Sequence, residues 1–473
     1  MTKLEILNFL EEAVEKPQEI LSLNNPFKTI GFDGGKSRLG WVLPPSFSQI
    51  RDRISKLLRL IEDKDNFIFV GMGGSINGIK ALLGIKNYPN ICTLDSLDPL
   101  AIEEVLSQVE KPSKVLVISI SKSGSTLETQ LLSETLKGFF QEEDNFLWLS
   151  DPSSFDKLNN LGWAKVKHFP IQLNSKEDIG GRFSCPHTLI FLLPLFLILQ
   201  KDFAKLERFW EGYTLQRSFL IDKAYKEVEK IKRREELRLF LEVGKVFSEG
   251  FSNWARQLFQ ESLGSKDSFW IKTMVDSSSN ELSGFLKLDT QLAAEDKFQY
   301  LAKLMYYLEI FVAFLSCYRR INFVNQPYVE VYKKELKNLK ERKASSTPIN
   351  LEELADKIRN SPFRDLEFID CILYFWPQES FKKKISNYLS SEFPQKIISV
   401  FLGSDWNHHS YQSAFKDRKT LYLIIALQDN ERDWKFLSRE RALTHIQTLQ
   451  AISYATFKTL QDKALYFSLR QDA

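Results

Sequence analysis

The sequence predicts an α/β protein built on parallel sheets. Three observations predict it. Apolar runs of four to six residues recur between about 45 and 200, each followed by a helix-length segment, the pattern of a parallel sheet covered on both faces. Two of these runs, Phe67–Val70 and Val115–Ile120, lead straight into loops rich in glycine and hydroxyls. The tail repeats the theme, with strand candidates Ile397–Leu402 and Leu421–Leu427.

Residues 1–44 read as a helical N-terminal segment that ends in the turn-prone stretch Gly31–Gly40. Residues 45–200 carry strands at Phe67–Val70, Ile91–Leu94, Val115–Ile120 and Phe146–Leu149. The apolar run Leu189–Leu199, broken by Pro194, is shorter than the roughly 20 residues that span a bilayer and reads as a core helix. Residues 201–340 read as mostly helical, with a dense apolar stripe over Lys297–Phe323 and one strand at Trp270–Val275. Pro327 is expected to open a helix, since the first turn tolerates proline. Residues 341–349 read as a linker into an α/β extension, 341–473, that ends in a long helix from about Arg439.

Composition narrows the class. The 473 residues suffice for two or three domains, and 43% hydrophobic with 26% charged is ordinary for a globular protein. A net charge of +3 does not imply nucleic acid. The N-terminus has no signal-peptide core, and no membrane span is expected, so the reading is cytoplasmic. Cys92, Cys185, Cys317 and Cys371 lack ligand-like spacing and read as free thiols. No metal and no cofactor are called for; a homodimer is an open option.

Six segments carry chemistry. Gly71-Met72-Gly73-Gly74-Ser75 and Ser121-Lys122-Ser123-Gly124-Ser125-Thr126 each join a strand to a helix. Unpartnered N–H groups at helix starts, with nearby hydroxyls, favour an anion, so the two loops suggest one phosphate held from two sides. The blander alternative is a tight turn for the first and a serine-rich helix cap for the second. Gly180-Gly181-Arg182-Phe183-Ser184 allows close approach of the chain to a ligand and offers a fixed cation in Arg182. Gln257 and Glu261 lie one helical turn apart and can face one cleft. Asn325–Lys334 is a polar turn entering a helix that carries Lys333, and His409-Ser410-Tyr411-Gln412 follows the first strand of the tail. Taken alone, Arg182, Glu261, Lys333 and His409 are each more often surface or structural residues. His168, His187, His408 and His445 read as structural.

Assembled, these segments resemble the glucose-6-phosphate isomerase (phosphoglucose isomerase) family over about residues 38–340, and more loosely through the tail. Gly71–Ser75 resembles the family's first phosphate loop, and Ser121–Glu128 its SK-[ST]-x-[ST]-T-x-E signature. Gly180–Ser184 resembles its GGR-[FY]-S element, Gln257…Glu261-Ser262 its Q-x-x-x-E-S segment, and Asn325–Lys333 its N-Q-P-x-V-E-x-x-K stretch. Two departures stand out. Ser265 intervenes before Lys266 where the family has Gly-Lys, and no histidine lies between Glu261 and Lys333. The nearest substitute is His409-Ser410-Tyr411-Gln412, similar to but one residue shorter than a string in the isomerase part of transaldolase/phosphoglucose isomerase fusions.

The resemblance implies two sugar-isomerase (SIS-like) parallel-sheet subdomains, 45–200 and 201–340, and interconversion of glucose 6-phosphate and fructose 6-phosphate through a cis-enediolate. It implies Glu261 as base, Arg182 as stabiliser of the enediolate, and His409 and Lys333 in ring opening. Gly74, Ser75, Ser121, Lys122, Ser123 and Thr126 would hold the phosphate, and Gln257 a sugar hydroxyl. Two other readings stay open: an isomerase that also accepts mannose 6-phosphate, and a non-catalytic sugar-phosphate sensor.

Overall fold

A computed structural model describes residues 2–22, 27, 29–244, 249–264, 269–276, 284–339, 348–426 and 433–469. They form two compact units, Met1–Thr93 with Lys111–Gln326, and Leu94–Glu110 with Pro327–Ala473.

The first unit holds a five-stranded sheet of β1 (Asn66–Gly71), β2 (Ile91–Leu94), β3 (Val115–Ile120), β4 (Phe146–Ser150) and β5 (Lys167–Pro170), in the order β2-β1-β3-β4-β5. The pairs β1–β3, β3–β4 and β4–β5 are parallel. β3 and β4 are buried at every residue, while the edge strands β2 and β5 are only partly so. Unbroken apolar runs therefore mark the centre of the sheet, where both faces are covered. The chain reverses direction across the sheet between β1 and β3, the switch point at which doubly wound sheets bind ligands. Both glycine- and hydroxyl-rich loops leave the carboxyl ends of these two strands, with Gly71 opposite Ile120.

The stretch expected to be mostly helical contains a second parallel sheet. Its strands are β6 (Glu236–Glu242), β7 (Trp270–Asp276) and β8 (Leu286–Leu288), in the order β8-β6-β7. Only β7 was legible. In β6 (ELRLFLE) charged residues alternate with leucines, so good helix formers disguise a strand whose leucines are buried and whose charges face outward. Helix Lys297–Arg319 runs through the same core, and among the described residues it is the one helix long and apolar enough to cross a bilayer, with 94% of its apolar stretch buried inside the protein. Helix Leu189–Ile198 continues through Pro194. A mid-helix proline costs about 3 kcal/mol, but all ten residues are buried, and apolar burial at roughly 1.5–3 kcal/mol per large side chain offsets that loss.

The second unit is a separate five-stranded parallel sheet: β9 (Pro348–Ile349), β10 (Phe368–Tyr374), β11 (Ile397–Leu402), β12 (Thr420–Ala426) and β13 (Ala464–Leu469), ordered β9-β13-β12-β10-β11. Helix Arg439–Leu460 is present as read. The excursion Leu94–Glu110 belongs here because Asp98 accepts the Trp376 N–H at 2.7 Å and Glu103 accepts the N–H groups of Lys435, Phe436 and Leu437. Pro327 does not open a helix: the Tyr328 N–H donates to Gln412 Oε1 at 3.0 Å, and the helix begins at Val329. Within the expected linker, Pro348 and Ile349 form an edge strand instead, paired with Ser468 and Leu469, while 341–347 lie outside the described residues, as do Leu427, Ser265 and Lys266. All four cysteines are free, and three are buried.

Glu309 sits at the middle of Lys297–Arg319, fully buried, with neither carboxylate oxygen hydrogen-bonded among the described residues. Burial pushes its pKa well above the ordinary 4.5. The folded chain thus keeps a proton that the unfolded chain releases, so stability falls as pH rises from about 4.5 toward the folded value, by about 1.4 kcal/mol per unit. Thermal unfolding of Glu309→Gln between pH 4.5 and 9 is expected to show a shallower loss of stability with rising pH than the parent. Equal slopes would show that Glu309 is not held neutral.

Candidate active site

β1 ends in a turn that closes at once, with the Ser75 N–H donating to the Met72 carbonyl at 3.1 Å. Gly74 then runs against the Gly180–Ser184 segment: a Cβ built on it would lie 2.6 Å from the Gly181 carbonyl carbon and 2.8 Å from the Arg182 nitrogen. No side chain fits there, which is the physical demand for glycine.

The loop after β3 has a different logic. Gly124 adopts φ +58° and packs its backbone near Ser154 and Leu158. Ser121 is buried, and its hydroxyl donates to Thr126 Oγ1 at 3.1 Å. Thr126 stands at the N-cap of helix Leu127–Phe139 yet makes no side-chain cap bond. The serine-rich-cap alternative required such a bond. Ser123 and Ser125 hydroxyls meet at 2.7 Å on the exposed side. The ammonium of Lys122 turns inward, donating to the Ile179 carbonyl and lying 3.6 Å from Asp151 Oδ2.

Arg182 is 2% exposed and held on three sides. Its Nε donates to Ser262 Oγ at 2.8 Å, its Nη2 donates to the Phe323 carbonyl at 2.5 Å, and its Nη1 lies 3.5 Å from Glu261 Oε2. Burial lowers its pKa, and the carboxylates of Glu261 and Asp33 oppose that shift. Glu261 is 3% exposed, and Oε2 also accepts the Gln257 amide at 2.8 Å. The helix Glu249–Arg256 widens over Gln257–Glu261 into a π-helical turn, a local feature often found at functional sites. The expected one-turn spacing thus brings Gln257 and Glu261 into direct contact.

Gly74, Arg182, Gln257 and Glu261 therefore form one contact chain, and Lys122 ties the second loop to the residue that precedes Gly180. Two members were not singled out in the sequence. Ser262, which orients Arg182, stood inside the Q-x-x-x-E-S text. Asp151 had a positional signal, being the first residue beyond β4 on the loop-bearing edge of the sheet. Lys333 and His409 lie in the second unit. Lys333 is half-exposed and paired with Glu330 at 2.8 Å. His409 is buried, its Nδ1 2.6 Å from Ser410 Oγ and its ring edge-on to Phe401. Tyr332, beside Lys333, packs on Tyr411 at 4.9 Å, so the lysine helix and the histidine turn adjoin within that unit. His187 sits in an aromatic pocket bonded to Tyr213 at 2.6 Å, and burial lowers its pKa to about 3. Among the described residues no group of three or more His, Cys, Asp or Glu side chains is placed to hold a metal.

The chain is 30% identical over 235 residues to the glucose-6-phosphate isomerase of Campylobacter jejuni, covering 46% of this chain and 55% of that one. Over that stretch the chain is similar to a glucose-6-phosphate isomerase. A second relative, the glucose-6-phosphate isomerase of Thermus thermophilus, is 29% identical over 167 residues, 34% of this chain and 39% of the relative. The chain thus spans about half the length of the Campylobacter relative and less of the Thermus one. A solved glucose-6-phosphate isomerase from Chlamydia trachomatis covers 75% of this chain and 87% of its own at 15% identity, with a TM-score of 0.47. No family model matches.

Replacing Gly74 by alanine forces a methyl group into the Gly181 and Arg182 backbone. Thermal unfolding is expected to show a loss of about 1–3 kcal/mol. Parent-like stability would show that the close approach is dispensable.

Proposed function

We propose that this protein interconverts glucose 6-phosphate and fructose 6-phosphate through a cis-enediolate, with Glu261 as the base. One observation supports the reading above the others. A buried carboxylate faces a buried guanidinium at 3.5 Å, and that guanidinium's own segment touches the glycine turn at the switch point of the sheet.

Moving a proton between C2 and C1 of an open-chain sugar needs a base, a charge to meet the forming enediolate oxygen, and a grip on the phosphate. Glu261 is assigned the first role. Gln257 fixes one of its oxygens, so the carboxylate meets the substrate in a set orientation. Arg182 is assigned the second. Ser262 and the Phe323 carbonyl hold the guanidinium, so no rearrangement is needed as negative charge develops. A preorganised charge in a water-poor site is worth about 10²–10³ in rate. The third role falls to Gly74, Ser75, Ser121, Ser123 and Thr126, with Lys122 acting through its backbone. The uncapped N-terminus of helix Leu127–Phe139 supports it, since first-turn N–H groups favour an anion. Ring opening is assigned to His409 and Lys333 on their motifs.

Conversion of fructose 6-phosphate to glucose 6-phosphate in a coupled assay tests the reading. Glu261→Gln is expected to lower turnover about 10²–10⁴-fold, the usual share of a general base, while binding of fructose 6-phosphate stays within a few-fold. More than a few per cent residual activity would remove Glu261 as the base. Binding with no turnover by the parent protein would mark a sensor.

A further inference from the structure

Lys122 and Asp151 stand out because an anion loop offers its lysine to the interior. Asp151 begins the turn after β4 and is 6% exposed. Its N–H donates to the Lys122 carbonyl at 3.0 Å, and Ser154 Oγ donates to the same carbonyl at 2.9 Å. From the other side the Lys122 ammonium reaches the carbonyl of Ile179, one residue before Gly180-Gly181-Arg182. Ile179 is in turn bridged antiparallel to Leu39. One lysine thus joins the loop after β3, the turn after β4 and the bridged residue that leads into the Arg182 segment. Asp151 Oδ1 is buried with no hydrogen-bond partner among the described residues, and Lys122 is its main electrostatic support.

We propose that Asp151 is a positioning residue: its carboxylate, paired with Lys122, latches the hydroxyl-rich loop to the Arg182 segment and so holds the loop in its anion-binding shape. The latch rests on the phosphate-loop reading above, and concerns how that loop is held. The charged groups facing the pair are Arg38 and Glu177, with Asp178 beyond them. Glu177 is itself fixed by the Ser153 N–H at 2.8 Å and by Lys36. Burial raises Asp151 to about 6, opposed by Lys122 and assisted by Glu177. The latch is therefore ionised above about pH 6 and loses its charge below.

Sulfate binding tests this, because sulfate remains a dianion from pH 5 to 8 whereas a sugar phosphate does not. Calorimetry on the full chain counts the binding that Ser121→Asp abolishes. Ordinary protonation of surface groups adds positive charge and strengthens anion binding as pH falls. The latch predicts the reverse, a fall of about tenfold from pH 7 to pH 5. Asp151→Asn is expected to bind sulfate equally weakly at both pH values, and Asp151→Glu to restore part of the slope. If Asp151→Asn fails to fold, the slope of the parent protein decides alone. Affinity that holds or rises toward pH 5 would overturn the latch, and absence of such binding at every pH would overturn the phosphate loop and the latch together. Turnover is measured separately: the predicted slope without turnover would keep the latch and discard the isomerase.

Discussion

The site depends on a buried ion pair, Arg182 with Glu261. Taking two charges out of water costs several kcal/mol each, and mutual attraction alone often fails to offset that cost. This pair is supported by further bonds. Ser262 and the Phe323 carbonyl satisfy two faces of the guanidinium, and Gln257 donates to the carboxylate. These partners come from distant parts of the chain, so the pair forms only when the Gly180 segment, the π-turn and the turn that follows the core helix have all docked. The same geometry leaves a carboxylate in a dry setting beside a fixed positive charge, which is an unstable arrangement for folding and a useful one for proton transfer.

The sheet supplies the second constraint. Its strand order places two loops side by side at the point where the chain reverses direction. The Gly74 backbone then presses one of them against the Arg182 segment. In the proposed function, this backbone contact is what couples the phosphate grip to the base.

The centre of the fold was legible because buried parallel strands are written as uninterrupted apolar runs. β1, β3, β4 and β11 were read to within a residue or so at each end. β6 was not, since its alternating charges and leucines satisfy helix and strand patterns alike and only pairing with β7 and β8 decides between them. The core helix read from the apolar run Leu189–Leu199 is present as Leu189–Ile198 and passes through Pro194, because burial offsets the proline's local cost. At the site, the one-turn spacing foretold the contact of Gln257 with Glu261. The inward turn of Lys122 was illegible: a lysine in an anion loop reads as an anion ligand, and its actual partners, Asp151 and the Ile179 carbonyl, lie 29 and 57 residues away.

The central claim is that a carboxylate takes a proton from the sugar carbon next to the carbonyl. Incubating the protein with fructose 6-phosphate in heavy water and following the product by NMR tests it directly. The account predicts deuterium at C2 of the glucose 6-phosphate formed, at up to one atom per turnover, because a proton held on a carboxylate exchanges in part with solvent. Product formed with no deuterium at C2, or no product at all, would contradict it.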